Sequence, residues 1–146
     1  MSLRVYRVCR SIHAKLDGEG ARLVGGRWNS PGRAMVYMSE SIALAVLENL
    51  VHMNKEEFPT GFVTVSASLP RSLKILEEAE LRVRFGGLSH TELGNRWFDS
   101  KLSAVACVRS AVIPAEHNYL LNPHHRDFKR IIIEQPHPFI FDPRLF

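Results

Sequence analysis

The sequence predicts an α+β fold built on a mostly antiparallel sheet with a few helices. Several short runs alternate apolar and polar residues with period 2, such as Leu3–Cys9 and Phe62–Leu69. Only two stretches sustain helical character, and they do not alternate with the strands in a regular βαβ order. At 146 residues the chain has one domain's worth of length on a range of about 100–200 residues. No Ser/Gly linker or internal repeat divides it, so residues 1–146 are read as a single domain. A composition of 45% hydrophobic and 23% charged residues is that of a globular protein and excludes disorder as the main state. The longest clean apolar run, Ile42–Leu47, falls far short of the roughly 18 residues of a membrane span.

Along the chain, Leu3–Cys9 reads as a strand. Residues 17–33 hold Gly18, Gly20, Gly25, Gly26, Pro31 and Gly32 and read as a long loop, a place where function often lies. Ala34–Met38 is a buried strand. Ser39 or Ser41 then caps a helix that runs to about Met53. Pro59-Thr60-Gly61 turns the chain into the strand Phe62–Leu69. Leu73–Leu76 is a further strand, and Gly86-Gly87 a break. Thr91–Ser100 is helical, with Leu93, Trp97 and Phe98 inward. Ala104–Val108 is a buried strand extended by Ser110–Ile113. Pro114–Pro123 reads as a loop, Arg126–Lys129 as one helical turn, and Ile131–Glu134 and Pro138–Phe141 as the last strands.

The net charge is +4, and it is uneven: residues 1–33 carry seven Lys/Arg against two acidic residues. Such a stretch suits an anionic partner, and a solvated basic surface is the plain alternative. The start of the chain has no apolar segment of signal-peptide length, so a cytoplasmic location is expected. Cys9 and Cys107 lack metal or disulfide spacing and read as small buried hydrophobes.

Chemistry concentrates in Gly25-Gly-Arg-Trp-Asn-Ser-Pro-Gly32. Glycines allow close approach of a backbone, and Arg27 offers a permanent, planar phosphate fork. Neither GxxxxGK[ST] nor GxGxxG is present, and a glycine-rich turn with a surface arginine remains the alternative. Tyr37 is either a core strand tyrosine or a ring that stacks on a planar ligand. Glu48 is a carboxylate in the most apolar part of a helix. It either pairs with a cation or is held for work in a cleft. Ser110 ends a strand. Asn118 and Asn122 close a loop, or serve a site. His124 and His125 are adjacent and so do not share a face, which argues against a metal. His52, four residues after Glu48, forms a surface pair with it more readily than a site.

Five blocks together resemble the RES domain: Gly25–Gly32, Val36-Tyr-Met-Ser-Glu-Ser-Ile-Ala-Leu-Ala-Val-Leu-Glu48, Ser110-Ala-Val-Ile-Pro114, Asn118-Tyr-Leu-Leu-Asn-Pro-His124 and Phe141-Asp-Pro-Arg-Leu145. The arginine, glutamate and serine that name the domain look like Arg27, Glu48 and Ser110. Arg109 stands where the family often has proline. The resemblance implies an ADP-ribosyltransferase-like fold and a bacterial toxin of a type II toxin–antitoxin pair that consumes NAD by hydrolysis, phosphorolysis or transfer of ADP-ribose to a protein. It implies catalytic roles for Arg27, Tyr37, Glu48 and Ser110, and substrate contacts from Arg27, Trp28, Tyr37 and Asn118. It implies no metal and no cofactor, with NAD as substrate and phosphate as an optional co-substrate. The expected partner is an Xre-like antitoxin, through which alone the chain meets DNA, and a homodimer is compatible with the resemblance. A ribonuclease-type or nucleic-acid-binding toxin using the basic N-terminal stretch and His124/His125, and a non-catalytic interaction module, are the readings from other classes.

Overall fold

A computed structural model describes residues 2–54 and 56–146. Among the described residues, eight strands form one sheet: β1 (Ser2–Arg10), β2 (Val36–Ser39), β3 (Phe62–Pro70), β4 (Ile75–Glu77), β5 (Val105–Arg109), β6 (His117–Leu121), β7 (Ile132–Ile133) and β8 (His137–Phe139). Their order is β4-β5-β6-β2-β1-β3-β7, with β8 also paired to β3. Every pairing is antiparallel except that of β4 with β5. Four α-helices among the described residues complete the α+β architecture: α1 (Glu19–Val24), α2 (Ile42–Leu50), α3 (Glu78–Phe85) and α4 (His90–Ser100). None of them is long and apolar enough to cross a membrane among the described residues.

The sheet is continuous but narrow at its middle. β1 and β3 pair along all nine residues of β1, whereas β1 meets β2 only at Tyr6 opposite Ser39. The pleat sends alternate side chains to opposite faces. Val5, Val36, Met38, Val65, Val105 and Leu121 build one core on one face. Two clusters share the other face. One gathers Trp28, Met35, Leu81, Leu93, Trp97, Ala106, Val108 and Leu120. The second gathers Val8, Ala45, Phe62 and Phe141. The first lies under α3 and α4 and the second under α2.

Five expectations require correction. The glycine-rich stretch 17–33 contains a helix, α1, whose six residues bury no side chain fully and so give no apolar stripe. α3 went unseen because its sequence EAELRVRF buries Leu81 alone. Its start is nevertheless encoded, by a capping box in which Glu77 and Glu80 exchange backbone hydrogen bonds. The segment 117–121, read as loop from its asparagines and Asn122-Pro123, is a central strand paired on both sides. Residues 110–113 do not extend β5, because the Ser110 hydroxyl accepts from the Val112 and Ile113 amides at 3.1 and 3.0 Å and turns the chain. α2 also ends at Leu50 rather than Met53. Its cap is Ser41, whose hydroxyl accepts from the Leu44 amide at 3.1 Å.

Candidate active site

A polar seam runs between the two clusters under the helices. β-Sheet register places Tyr37 opposite Leu120 and Ala106 next in line. One pleat further on, Ser39 lies opposite Asn118, and Asn118 opposite Val108. These residues therefore share one face, and Ser110, two residues past Val108, continues it. The Ser39 hydroxyl donates to Asn118 Oδ1 at 2.8 Å. Ser39 and Ser110 are both buried.

Glu48 enters this seam from α2. Ser110 Oγ donates to Glu48 Oε1 at 2.9 Å, joining residues 62 positions apart. Because the same hydroxyl accepts two amides of the turn, its proton has a single direction left, toward the carboxylate. No cation pairs with Glu48 among the described residues, and its fourth-neighbour His52 lies beyond the end of α2 and makes no pair with it. The carboxylate is half-buried, with Oε2 left for another group.

The Tyr37 hydroxyl reaches in the other direction, into the glycine-rich loop. It accepts from the Trp28 amide at 2.9 Å and donates to Asn29 Oδ1 at 2.6 Å. Burial pushes its phenol up to about 12, against the pull of the Trp28 amide, so it is neutral at every physiological pH. Gly26 is required by this contact: a Cβ there would stand 2.7 Å from the tyrosine oxygen. Asn29, fully buried, completes the clamp by donating to the carbonyls of Ala21, Ser30 and Arg33.

α4 holds the loop from outside. Thr91 Oγ1 donates to the Arg27 carbonyl at 3.1 Å, and Asn95 exchanges hydrogen bonds with Ser30. Trp28 is only 2% exposed, its indole a core side chain set edge-on to the His90 ring. The Arg27 guanidinium is exposed and forms no hydrogen bond or ion pair among the described residues.

The structure thus joins Glu48 directly to Ser110, ties Tyr37 to the loop that carries Arg27, and sets Asn118 in the same face. Trp28 stands apart as an anchor of the loop, unavailable for ring stacking on a ligand. Asn29 and Ser39 are the polar residues of the site that sequence reasoning passed over. For Asn29 the available signal was its place inside the glycine-rich block, one residue after a tryptophan. The histidine pair dissolves. His125 Nδ1 accepts from the Asp127 amide at 3.0 Å and its Nε2 faces the Lys101 carbonyl at 2.9 Å, which occupies both nitrogens in structure. The thiols of Cys9 and Cys107 are raised, chiefly by burial; Cys9 is buried and Cys107 half-buried.

A family model, the RES domain, matches residues 4–142. Toxin Res of Photorhabdus laumondii is 36% identical over 135 residues, covering 88% of this chain and 86% of that protein. The Prs ADP-ribosylating toxin of Sphingobium sp. strain YBL2 is 35% identical over 138 residues, covering 89% and 86%. Toxin Res of Yersinia enterocolitica is 32% identical over 151 residues, covering 98% and 99%. Among solved structures, the toxin of the Mycobacterium tuberculosis MbcT–MbcA toxin–antitoxin complex superposes with a TM-score of 0.72 over 99% of this chain and 87% of that chain. At 17% identity that likeness speaks for the fold, in keeping with the α+β, ADP-ribosyltransferase-like architecture expected from the sequence.

Proposed function

The chain belongs to the RES domain family, and from that premise we propose that it is the toxin of a toxin–antitoxin pair that cleaves NAD between nicotinamide and ribose. The observation that carries the proposal is the Ser110–Glu48 hydrogen bond at 2.9 Å, with no cation on the carboxylate among the described residues. A carboxylate with no cation to neutralise it, fixed by one short donor and half-buried in a polar seam, suits a transition state that gains positive charge.

Nicotinamide in NAD is a cationic leaving group. When the C–N bond breaks, it departs with the bonding electrons as a neutral base, and the ribose carbon becomes oxocarbenium-like. No general acid is needed for that step. Glu48 stabilises the developing charge and accepts a hydrogen bond from the ribose. Ser110 holds the carboxylate in one rotamer, so that no reorganisation is spent as the charge appears. Arg27 binds the pyrophosphate. Tyr37, neutral and fixed at its hydroxyl, keeps the Arg27 loop in register and offers its ring edge to the substrate. Asn118, held by Ser39, lies on the same sheet face. Water or phosphate then attacks the ribose carbon and loses a proton to give ADP-ribose or its phosphate.

A second reading keeps the site and changes the acceptor: a protein side chain takes the ADP-ribose. The relative named Prs ADP-ribosylating toxin, 35% identical, favours it. The partner is an antitoxin protein, as suggested by the relatives named Toxin Res and by the MbcT–MbcA complex. We assign it the Xre type from the sequence resemblance. Mass analysis of products from purified protein, NAD, phosphate and cell extract separates these outcomes. Free ADP-ribose or its phosphate supports cleavage, a modified protein supports transfer, and intact NAD under all conditions rejects both.

A further inference from the structure

His90, the first residue of α4, lies against the Arg27 loop without a role in the chemistry above. Its imidazole meets the Trp28 indole edge-on, with centroids 4.9 Å apart. The next residue, Thr91, binds the Arg27 carbonyl, so positions 90 and 91 bracket Arg27 and Trp28 as a pair. The charged groups that face His90 are Arg27 of the loop and Arg82 and Glu78 of α3. On its own helix, Glu92 is turned back to Ser89, which donates to it at 3.0 Å.

The balance among these groups is unequal. Glu78 is fully engaged: one oxygen accepts from Arg82 at 3.1 and 2.9 Å, and the other from the Arg109 amide at 3.1 Å. That carboxylate therefore answers Arg82 and leaves Arg27 without a counter-charge. Neither His90 ring nitrogen has a hydrogen-bond partner among the described residues, and the side chain is half-exposed. Burial, then the charges of Arg27 and Arg82, hold the imidazole below its usual range, with Glu78 pulling the other way. His90 is thus neutral at pH 7 in the free protein, beside a guanidinium that lacks an anion.

We propose that His90 is a second contact of the anion that Arg27 receives, taking a proton from solvent as the anion binds. The proposal rests on the reading that Arg27 holds the pyrophosphate of NAD, and it adds a residue, and a pH dependence, that the family resemblance does not assign. A bound diphosphate cancels the field of Arg27 and Arg82 at His90 and accepts a hydrogen bond from the imidazolium. By linkage, what raises the proton affinity of His90 when the anion binds also raises anion affinity when His90 is protonated. Binding therefore tightens as pH falls through the histidine range.

The test follows the His90 C2 proton by NMR in the full chain, identified among seven histidines by its loss in His90→Gln. It is titrated free and with saturating sulfate, whose charge is constant across the range. NAD affinity is then measured in Glu48→Gln, where turnover is suppressed. Both anions are expected to raise the imidazole pKa by about one, so NAD binds about three- to tenfold more tightly near pH 5.5 than near pH 8. His90→Phe keeps the edge contact with Trp28 and carries no proton. It is expected to match the unsubstituted His90 near pH 8 and to lose the gain at low pH. Arg27→Gln should remove the response of His90 to sulfate. A His90 that titrates identically with and without anion, or a pH dependence that survives in His90→Phe, overturns the proposal. If sulfate moves His90 while NAD is neither bound nor consumed, this anion contact stands and the NAD reading falls. If NAD is consumed while His90 stays silent, the reverse holds.

Discussion

Ser110 holds three hydrogen bonds through one hydroxyl: it accepts from two turn amides and donates to Glu48. Ser110→Ala leaves both amides without that acceptor in a part-buried turn, at a cost of about 1 kcal/mol, and frees the Glu48 carboxylate to change rotamer. The expected result in urea is a folded protein with a lowered midpoint, together with a reduced rate of NAD loss; unchanged stability would show that the turn does not depend on the hydroxyl. Tyr37 gives a second test. Burial holds its phenol up at about 12 in the folded protein, above the ordinary tyrosine value of 10.0 that the unfolded chain takes. The folded state therefore favours the neutral form. The associated stability is complete below the unfolded value and is lost as pH rises from there through the folded one. An ultraviolet titration of the three tyrosines, with Tyr37→Phe as the difference, should show this phenol silent until about pH 12. Ionisation near the ordinary value would mean that the phenol is not buried in solution.

At the scale of elements, α4 and the glycine-rich loop form one unit. Gly94 is the contact point: a Cβ there would lie 1.8 Å from the Trp28 carbonyl oxygen, which is backbone and cannot swing aside. Gly94→Ala should therefore push α4 off the loop and cost about 3 kcal/mol. Near-ultraviolet circular dichroism and thermal unfolding read this out, and a variant as stable as the parent would contradict the packing. This dependence explains which elements were legible. β1, β3, α2 and α4 announce themselves because each buries a periodic stripe or a β-branched run. β6 did not, because its asparagines read as turn residues: Asn122 does turn the chain just past the strand, accepting from the His124 amide at 2.9 Å, whereas Asn118 lies within the strand and accepts from Ser39. α1 and α3 bury too little to leave a pattern.

For the whole molecule, the seam exists because two apolar clusters on one face of the sheet do not merge, and the line between them carries Ser39, Asn118, Ser110 and Glu48. Glu48 stood out in the sequence as a carboxylate in an apolar helix. Its partner 62 residues away could be named only through the family resemblance, since no local spacing encodes a contact made by sheet register. Asn29 was hidden for a related reason: its value lies in three carbonyls and a tyrosine hydroxyl that only the folded loop assembles. The basic N-terminal stretch contributes β1, α1 and the Arg27 loop rather than a separate nucleic-acid arm. The central claim is that Glu48, set by Ser110, stabilises the breaking of the nicotinamide–ribose bond. Its most direct test is the rate of nicotinamide release from NAD by purified protein, parent against Glu48→Gln, with both shown to be folded by circular dichroism. Glu48→Gln keeps the shape and the hydrogen bond to Ser110 but not the charge. The account predicts a loss of about a hundredfold, on the order of 3 kcal/mol of transition-state stabilisation. Equal rates in two well-folded proteins would contradict it.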